Sequence, residues 1–543
     1  MVFARRPTTL LAAIIASCAM VLSLTACTSD NKTVVDGQTT VTSNSAGGVA
    51  VFTPSDGITL NQQTPLNKWA KLVPDLAKAL ADAGFKKGDI DHTTSDSLAK
   101  QSRAIQDFVV DHLSNNTTDD SGIAIAPDNM TLLVAPVVEA DASTRQYGDY
   151  VSQNLSTNDV TDGEATSDGE SSEDDSSKDD SSNTESDSTA SDEQAQAVDR
   201  LVSSLKLAKE SGMHVVLLGN SIEGYKPDAF VKFSDAQTIG KLQAEKMVSK
   251  LKLDKASKDN PKYIEVLLPY TAVDEKGNAN DSTFAQEAFR GIWQVLGSYY
   301  QKGVVESPSG TLDGKSTEND WQAVAYDAAK EGSTAKVLDK RLAKTDGQST
   351  LTRIDGIITM NDYIASEVVK ELDDLGYTGS AADINPQITI SGIVGNITGK
   401  KDLSRDAVPD PIKSPENDNA NDSSSSDDDA DEDTSASDKD RDSQWPLVTG
   451  YGAYVSNIPS IVNGKQWMTG MEDRQTIATD IAQACAKLNK DEALNSMPSI
   501  RNSEVGGVKK IPTISEPLLA VSASNLKSAL IDPGYISLAD AGL

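Results

Sequence analysis

Between Ile354 and Leu372 a short β-rich run gives way to apolar positions at helical spacing. Ile354, Ile357 and Ile358 form a short β-rich run that ends at Asn361-Asp362, after which Ile364, Ala365, Val368, Val369 and Leu372 recur at helical spacing. The pattern predicts a strand feeding a helix across a turn of two small polar residues. In a parallel sheet such a turn lies at the carboxyl end of the strands, where α/β proteins take up ligands. Asn361 is equally well suited to cap the helix, with Asp362 at its positive end. Both roles stay open on the pattern alone.

The same alternation runs through the chain. Leu72–Gly84 is an amphipathic helix stopped by glycine, and Leu98–Leu113 is a second helix. Gly122–Ala126 (GIAIA) is a short buried-type strand closed by Pro127, and Leu132–Ala140 returns to helical character. Ala195–Glu210 predicts a helix and His214–Leu218 a strand. The pattern then restarts with a strand at Tyr263–Leu268 and a helix at Phe284–Tyr299. Further helical runs follow at Trp321–Glu331 and Ala335–Leu342, and strands at Pro386–Ser391 and Pro446–Thr449. Strand–helix alternation of this kind implies mostly parallel α/β sheets, here in two successive units.

Charge changes this picture in two places. The net charge of -33 is concentrated in Asn158–Glu193, with fourteen acidic residues against one lysine, and Ser414–Ser443, with twelve against two basic ones. These stretches are rich in Ser, Asp and Glu, nearly free of aromatics, and cannot bury enough surface to fold. They mark two acidic inserts, at about 156–194 and 400–444. The acidic run DDDADEDTSASD lacks the glycine and spacing of a calcium loop. The remaining chain is mildly acidic and carries no basic stripe, which argues against a nucleic-acid partner.

The first 27 residues read as a targeting segment. Arg5 and Arg6 precede an apolar stretch, Leu10–Leu24, too short for a normal membrane span, which meets Leu24-Thr25-Ala26-Cys27. This junction resembles the lipobox of bacterial lipoproteins, which implies that Cys27 receives a diacylglycerol and becomes the mature N-terminus. An ordinary secretory signal is the alternative. Thr28–Gly48 is polar and reads as a tether, with folded chain beginning near Val49; the lobe bounds are set at about residue 56, with 28–55 as tether. Cys18 leaves with the signal and Cys485 sits in a helical stretch, so the mature body has no intramolecular disulfide. His92, His112 and His214 lack metal-ligand spacing, and no metal or cofactor is expected. The chain contains no G-x-S-x-G elbow, P-loop or HExxH helix, so catalysis is not expected; a secreted hydrolase using the scattered carboxylates is a poor third reading.

Several stretches resemble type I periplasmic binding proteins, nearest to the xylose-binding branch. Lys68-Trp69 stands where that family has Arg-Trp, Phe233–Ala244 (FSDAQTIGKLQA) is similar to its first crossover, and Arg290–Leu296 to the first helix of its second lobe. TMNDYIA resembles its A-x-ND-x-x-A turn; Thr449–Ala453 and Gly464–Thr469 resemble TGQDA and the following strand; Pro512–Gly534 resembles its closing crossover. The resemblance implies two Rossmann-like lobes joined by a three-crossover hinge, closing on a sugar. Crossings near Lys232, Gln466 and Pro512 imply an N-terminal lobe of 56–232 plus 467–511 and a C-terminal lobe of 233–466 plus 512–543. A helix-turn-helix repressor of the same fold is excluded by the lipobox-like start.

The departures are as informative. The family's sugar-gripping Asp-Arg is Gly219-Asn220 here, its crossover Asp-Asn is Asp235-Ala236, and the Gln-Asp of TGQDA is Tyr451-Gly452. The candidate ligand-binding set is therefore Lys68, Trp69, Asn220, Asp235, Trp321, Asn361, Asp362 and Tyr451, with core packing the competing role for Trp69 and Trp321. The function implied is a monomeric, lipid-anchored, extracytoplasmic receptor on the outer face of the cytoplasmic membrane, which hands a carbohydrate-like solute to an ABC permease. The alternative is a surface sensor or interaction lipoprotein that keeps the fold without sugar transport, motivated by the replaced cleft acids.

Overall fold

The computed structural model describes residues 46–55, 65–115, 125–138, 144–150, 153–156, 185–273, 280–343, 351–382 and 443–543. Cys27, Pro386–Ser391 and most of both acidic inserts lie outside these residues. The described residues form one compact unit.

The chain folds as α/β, with two parallel-dominated sheets. The first holds β1 (Gly48–Pro54), β2 (Ile90–Ser95), β3 (Met130–Val134), β4 (His214–Leu218) and β5 (Ala229–Lys232), all parallel, in the order 2-1-3-4-5. The second contains β6 (Lys262–Val266), β7 (Val305–Glu306), β8 (Gly356–Ile358), β9 (Leu447–Tyr451) and β10 (Met468–Met471), in the order 7-6-8-9-10. Both orders are the same doubly wound path, which places the strands' carboxyl ends and their switch point on one edge of each sheet. The antiparallel pair β11 (Ile500–Val505) and β12 (Val508–Ser515) extends the first sheet beyond β5. β13 (Leu519–Ser522) closes the second sheet against β10.

Period-two side chains explain the layering of the first sheet. Val49, Val51, Leu133, Val216 and Leu218 face the helices Trp69–Asp82 and Arg474–Leu488. Ala50, Phe52, Leu132, Val134, Val215 and Leu217 face Leu98–Asn115 and Glu185–Glu210. Strands buried on both faces read as continuous apolar runs rather than alternating ones. This is why Leu132–Ala140, expected as helical, contributes instead to the fully buried strand β3. Of GIAIA, Ile125 and Ala126 precede a short 3-10 turn and are not strand.

Other expectations shift in the same concrete way. Folded chain begins near Val49 as expected, with β1 over Gly48–Pro54 paired on both sides, so the first lobe starts before residue 56. The helix expected from Ala195 begins at Glu185, inside the stretch assigned to the first acidic insert. Trp321–Glu331 keeps helical form only over Trp321–Val324 before Ala325–Tyr326 pairs with Leu268–Pro269. The chain crosses between sheets after Lys232, after Met471 and after Ser515. The last two crossings come later than those expected at Gln466 and Pro512, since β10 pairs with β9 and β12 pairs with β5.

Candidate functional site

Residues at the carboxyl ends of both sheets meet around Gln146–Tyr150, and the turn after β8 stands on the second-lobe side of this interlobe cleft. Asn361 caps Asp362–Leu375: its Oδ1 accepts from the Ile364 amide at 2.9 Å, one of the helix's orphan donors. Met360, just before it, adopts φ 68°, and its carbonyl accepts from Gln243 Nε2 at 3.0 Å. Gln243 belongs to the first crossover helix, Ala236–Leu251. The turn is thereby fixed to the hinge.

Asp362 points into its own lobe. Its carboxylate accepts from Gln466 Nε2 at 2.7 Å, Thr469 Oγ1 at 2.9 Å and the Tyr454 amide at 2.9 Å. Burial pushes its pKa up to about 6, opposed by those three donors. Gly450 makes room for it, since a Cβ there would lie 2.2 Å from Asp362 Oδ1. Two neighbouring residues thus divide the work: Asp362 knits the lobe together, and Asn361 keeps its amide for the cleft.

That amide meets the chain itself. Asn361 Nδ2 donates to Gln146 Oε1 at 3.1 Å, and the Tyr454 hydroxyl donates to the Gln146 carbonyl at 2.7 Å. Gln146 lies on a segment that follows β3 and crosses the cleft. The next residue, Tyr147, is 1% exposed and packs its ring 4.7 Å from Phe284 and 6.3 Å from Tyr451, both second-lobe residues. Gly148 turns at φ +98°, a left-handed conformation that brings it against Asn67; a Cβ would lie 2.6 Å from the Asn67 carbonyl oxygen. Asp149 then serves as a remote cap for Trp69–Asp82, whose own N-cap residue Lys68 makes no side-chain cap bond. Its carboxylate accepts from the Trp69 amide at 3.1 Å and pairs with Lys68 Nζ at 2.8 Å. Tyr150 donates to the Lys68 carbonyl, stacks on Phe233 at 4.8 Å and meets Trp69 edge-on at 5.1 Å.

The structure therefore brings Lys68, Trp69, Asn361 and Tyr451 to one place, around Gln146–Tyr150. Asn220 joins their edge, spending its side chain on the Pro136 carbonyl (2.9 Å) and the Gln153 amide (3.0 Å). Asp235 caps the first crossover helix through Thr238, 2.7 Å away, and pairs with Lys232 at 2.7 Å. Burial raises its pKa, but the bonds from Lys232 and Thr238 prevail and leave it below the usual carboxylate range. Trp321 packs edge-on against Tyr270 at 5.1 Å in the second-lobe core. Among the described residues no group of three His, Cys, Asp or Glu side chains has metal-holding geometry, and no helix is long and apolar enough to cross a membrane.

A second cluster lies where the crossings run side by side. Glu472, on the second crossing, accepts from the Ser234 amide of the first at 2.6 Å and from the Tyr451 hydroxyl at 3.4 Å. Ser234 Oγ also bonds the Tyr451 hydroxyl. Burial pushes Glu472 up to about 7 and raises Tyr451 well above its ordinary range, with the Glu472 charge adding to the latter. Because the folded state holds the Glu472 proton more tightly than an ordinary glutamate, its stabilising contribution is complete below about pH 4.5 and is lost as pH rises towards 7. The loss is on the order of 3 kcal/mol. Glu472→Gln keeps the acceptor for Ser234 and removes the charge. Its thermal midpoint should match wild type near pH 4.5 and exceed it at pH 8; parallel profiles would place the pH dependence elsewhere.

Gln146, Tyr147, Asp149, Tyr150, Phe284, Ser234 and Glu472 were absent from the sequence-derived set. One signal was there to read: QYGDY puts two tyrosines around Gly-Asp in a chain only 5% aromatic.

Two doubly wound lobes joined by three crossings, with side chains of both lobes meeting at their carboxyl ends, define a two-lobed binding-protein architecture of the type I periplasmic kind. Solved structures similar to the chain include sugar ABC transporter proteins. A Clostridium phytofermentans ABC transporter solute-binding protein with bound β-D-glucose is 17% identical over 91% of this chain and 99% of its own, at a TM-score of 0.44. A Chloroflexus aurantiacus carbohydrate transporter solute-binding protein in complex with D-glucose is 18% identical over 92% and 98%, at 0.42. A periplasmic ribose ABC transporter protein from Conexibacter woesei is 14% identical over 90% and 97%, at 0.41. No protein-family model and no curated protein matches the chain.

Proposed function

We propose that this chain is a non-catalytic, lipid-anchored extracytoplasmic receptor that takes a carbohydrate-like solute in its interlobe cleft for an ABC permease. The observation that carries the reading is the gathering of Lys68 and Trp69 of one lobe with Asn361 and Tyr451 of the other around one short segment, Gln146–Tyr150. Aromatic faces and amide or ammonium donors drawn from two moving bodies suit a ligand whose hydroxyls both donate and accept. The lipobox-like Leu24–Cys27 supports anchoring through Cys27 at the outer face of the membrane.

The test is a thermal-shift panel of pentoses, hexoses and short oligosaccharides on the mature chain. A cognate sugar at a hundred times its Kd stabilises by about 2.7 kcal/mol, a rise of a few degrees. Asn361→Ala should weaken that sugar by roughly tenfold, while costing about 1 kcal/mol of stability through the lost cap. A panel without any stabilising sugar would count against solute binding.

A second reading, a surface sensor or interaction lipoprotein that has given up sugar, is favoured by one specific observation. The donors and rings of the cleft are already engaged by Gln146–Tyr150. A sugar-silent panel with an intact, closed protein would favour it.

A further inference from the structure

Five consecutive residues, Gln146–Tyr150, touch both walls of the cleft. On the second-lobe wall, Gln146 takes the Asn361 amide and the Tyr454 hydroxyl, and Tyr147 fills the space between Phe284 and Tyr451. On the first-lobe wall, Asp149 takes Lys68 Nζ and the Trp69 amide, while its own amide donates to the Asn67 carbonyl at 2.8 Å. Tyr150, 1% exposed, covers Trp69 and reaches Phe233 at the start of the first crossing. Lys68 Nζ, the Trp69 amide and the Asn361 amide are thus engaged from within the chain. A phenol ring between two aromatic side chains and a carboxamide on the Asn361 amide take the place of a ligand's flat face and hydrogen-bonding edge.

We propose that Gln146–Tyr150 is a built-in occupant of the cleft, a clasp that holds the two lobes closed in the absence of solute and must leave before solute enters. The second half of this statement rests on the solute reading above; the first does not. A segment tethered next to its site competes at a high effective concentration. The apparent affinity for any solute is then reduced by the fraction of molecules in which the clasp is released. Its bonds link the two walls where the sequence lacks acids at Gly219-Asn220 and Tyr451-Gly452, alongside the bond from the Leu66 amide to the Gly452 carbonyl at 2.9 Å.

The test uses the mature chain with no sugar present. Small-angle scattering and amide hydrogen exchange are measured for wild type and for Gln146→Ala/Tyr147→Ala, which removes the second-lobe contacts and leaves Asp149 in place. The clasp predicts a larger radius of gyration for the double variant and at least ~10-fold faster exchange at Asp149 and Tyr150. It also predicts that, in wild type, residues 146–150 exchange through a local opening well below global unfolding, a readout that does not depend on the variant folding. Unchanged dimensions and exchange in a cooperatively folded variant would overturn the proposal. So would exchange of 146–150 in wild type only through global unfolding, which would make the segment a fixed part of the wall. Neither result bears on whether a sugar binds, which the thermal-shift panel decides separately.

Discussion

Asp362→Ala should destabilise the protein by about 3–5 kcal/mol, the cost of stripping a buried acceptor from several donors at once. The Tyr454 amide, Gln466 Nε2 and Thr469 Oγ1 all converge on this carboxylate, and all three residues belong to the second lobe. Asn457 adds a bond from its Nδ2 to the Asp362 carbonyl at 2.7 Å and another to Gln466 Oε1 at 2.8 Å, so the loss spreads through a connected network. Denaturant unfolding measures the loss. The contrast with Asn361→Ala is the informative part: that variant should cost only about the worth of an N-cap while weakening solute. An Asp362→Ala protein of wild-type stability that no longer bound solute would reverse the division of labour and make Asp362 the ligand residue.

Arg341→Met should cost a similar ~3–5 kcal/mol, because it leaves one member of a buried ion pair behind. Arg341 donates to Glu265 at 3.4 Å, to the Val324 carbonyl at 2.9 Å and to the Val266 carbonyl, tying the helix Ser333–Arg341 to the end of β6. Burial lowers the Arg341 pKa, and the Glu265 charge works against that fall. Glu265 is fully buried and accepts from Ser307 Oγ at 2.7 Å and the Ser309 amide at 2.8 Å, contacts that do not neutralise it. Adding Glu265→Gln to Arg341→Met should recover part of the loss, since the uncompensated charge is then gone. A single variant within 1 kcal/mol of wild type would show that the pair contributes little. Neither residue touches the cleft cluster, so sugar affinity in the surviving folded protein should be unchanged.

The fold was legible where one period dominated. Ile354–Leu372 gave its strand, turn and helix, because a short isoleucine-rich run ended at Asn361-Asp362 and the apolar positions after it recurred at helical spacing. It failed at Met130–Val134, where burial on both faces of the sheet erased the alternation. The last two crossing points were misplaced because short strands such as Met468–Met471 take their lobe from pairing partners, and pairing has no local signature. The site was half legible. Asn361 was reached from the strand–helix pattern and Lys68, Trp69 and Tyr451 through resemblance, and the structure gathers them around Gln146–Tyr150. Gln146–Tyr150 and Glu472 were not, because their roles depend on contacts with residues 80 to more than 300 positions away. Asp362 was read as a cleft residue because a turn at a strand's carboxyl end suits ligands, whereas the direction of its side chain was settled by Gln466 and Thr469.

Calorimetric titration of the sugar giving the largest thermal shift, into wild type and Gln146→Ala/Tyr147→Ala, tests the account most directly. If the cleft is the solute site and the clasp its occupant, both proteins bind at one site per chain, and the double variant binds several-fold more tightly. Heat of binding that is equal in the two proteins, or absent from both, would contradict it.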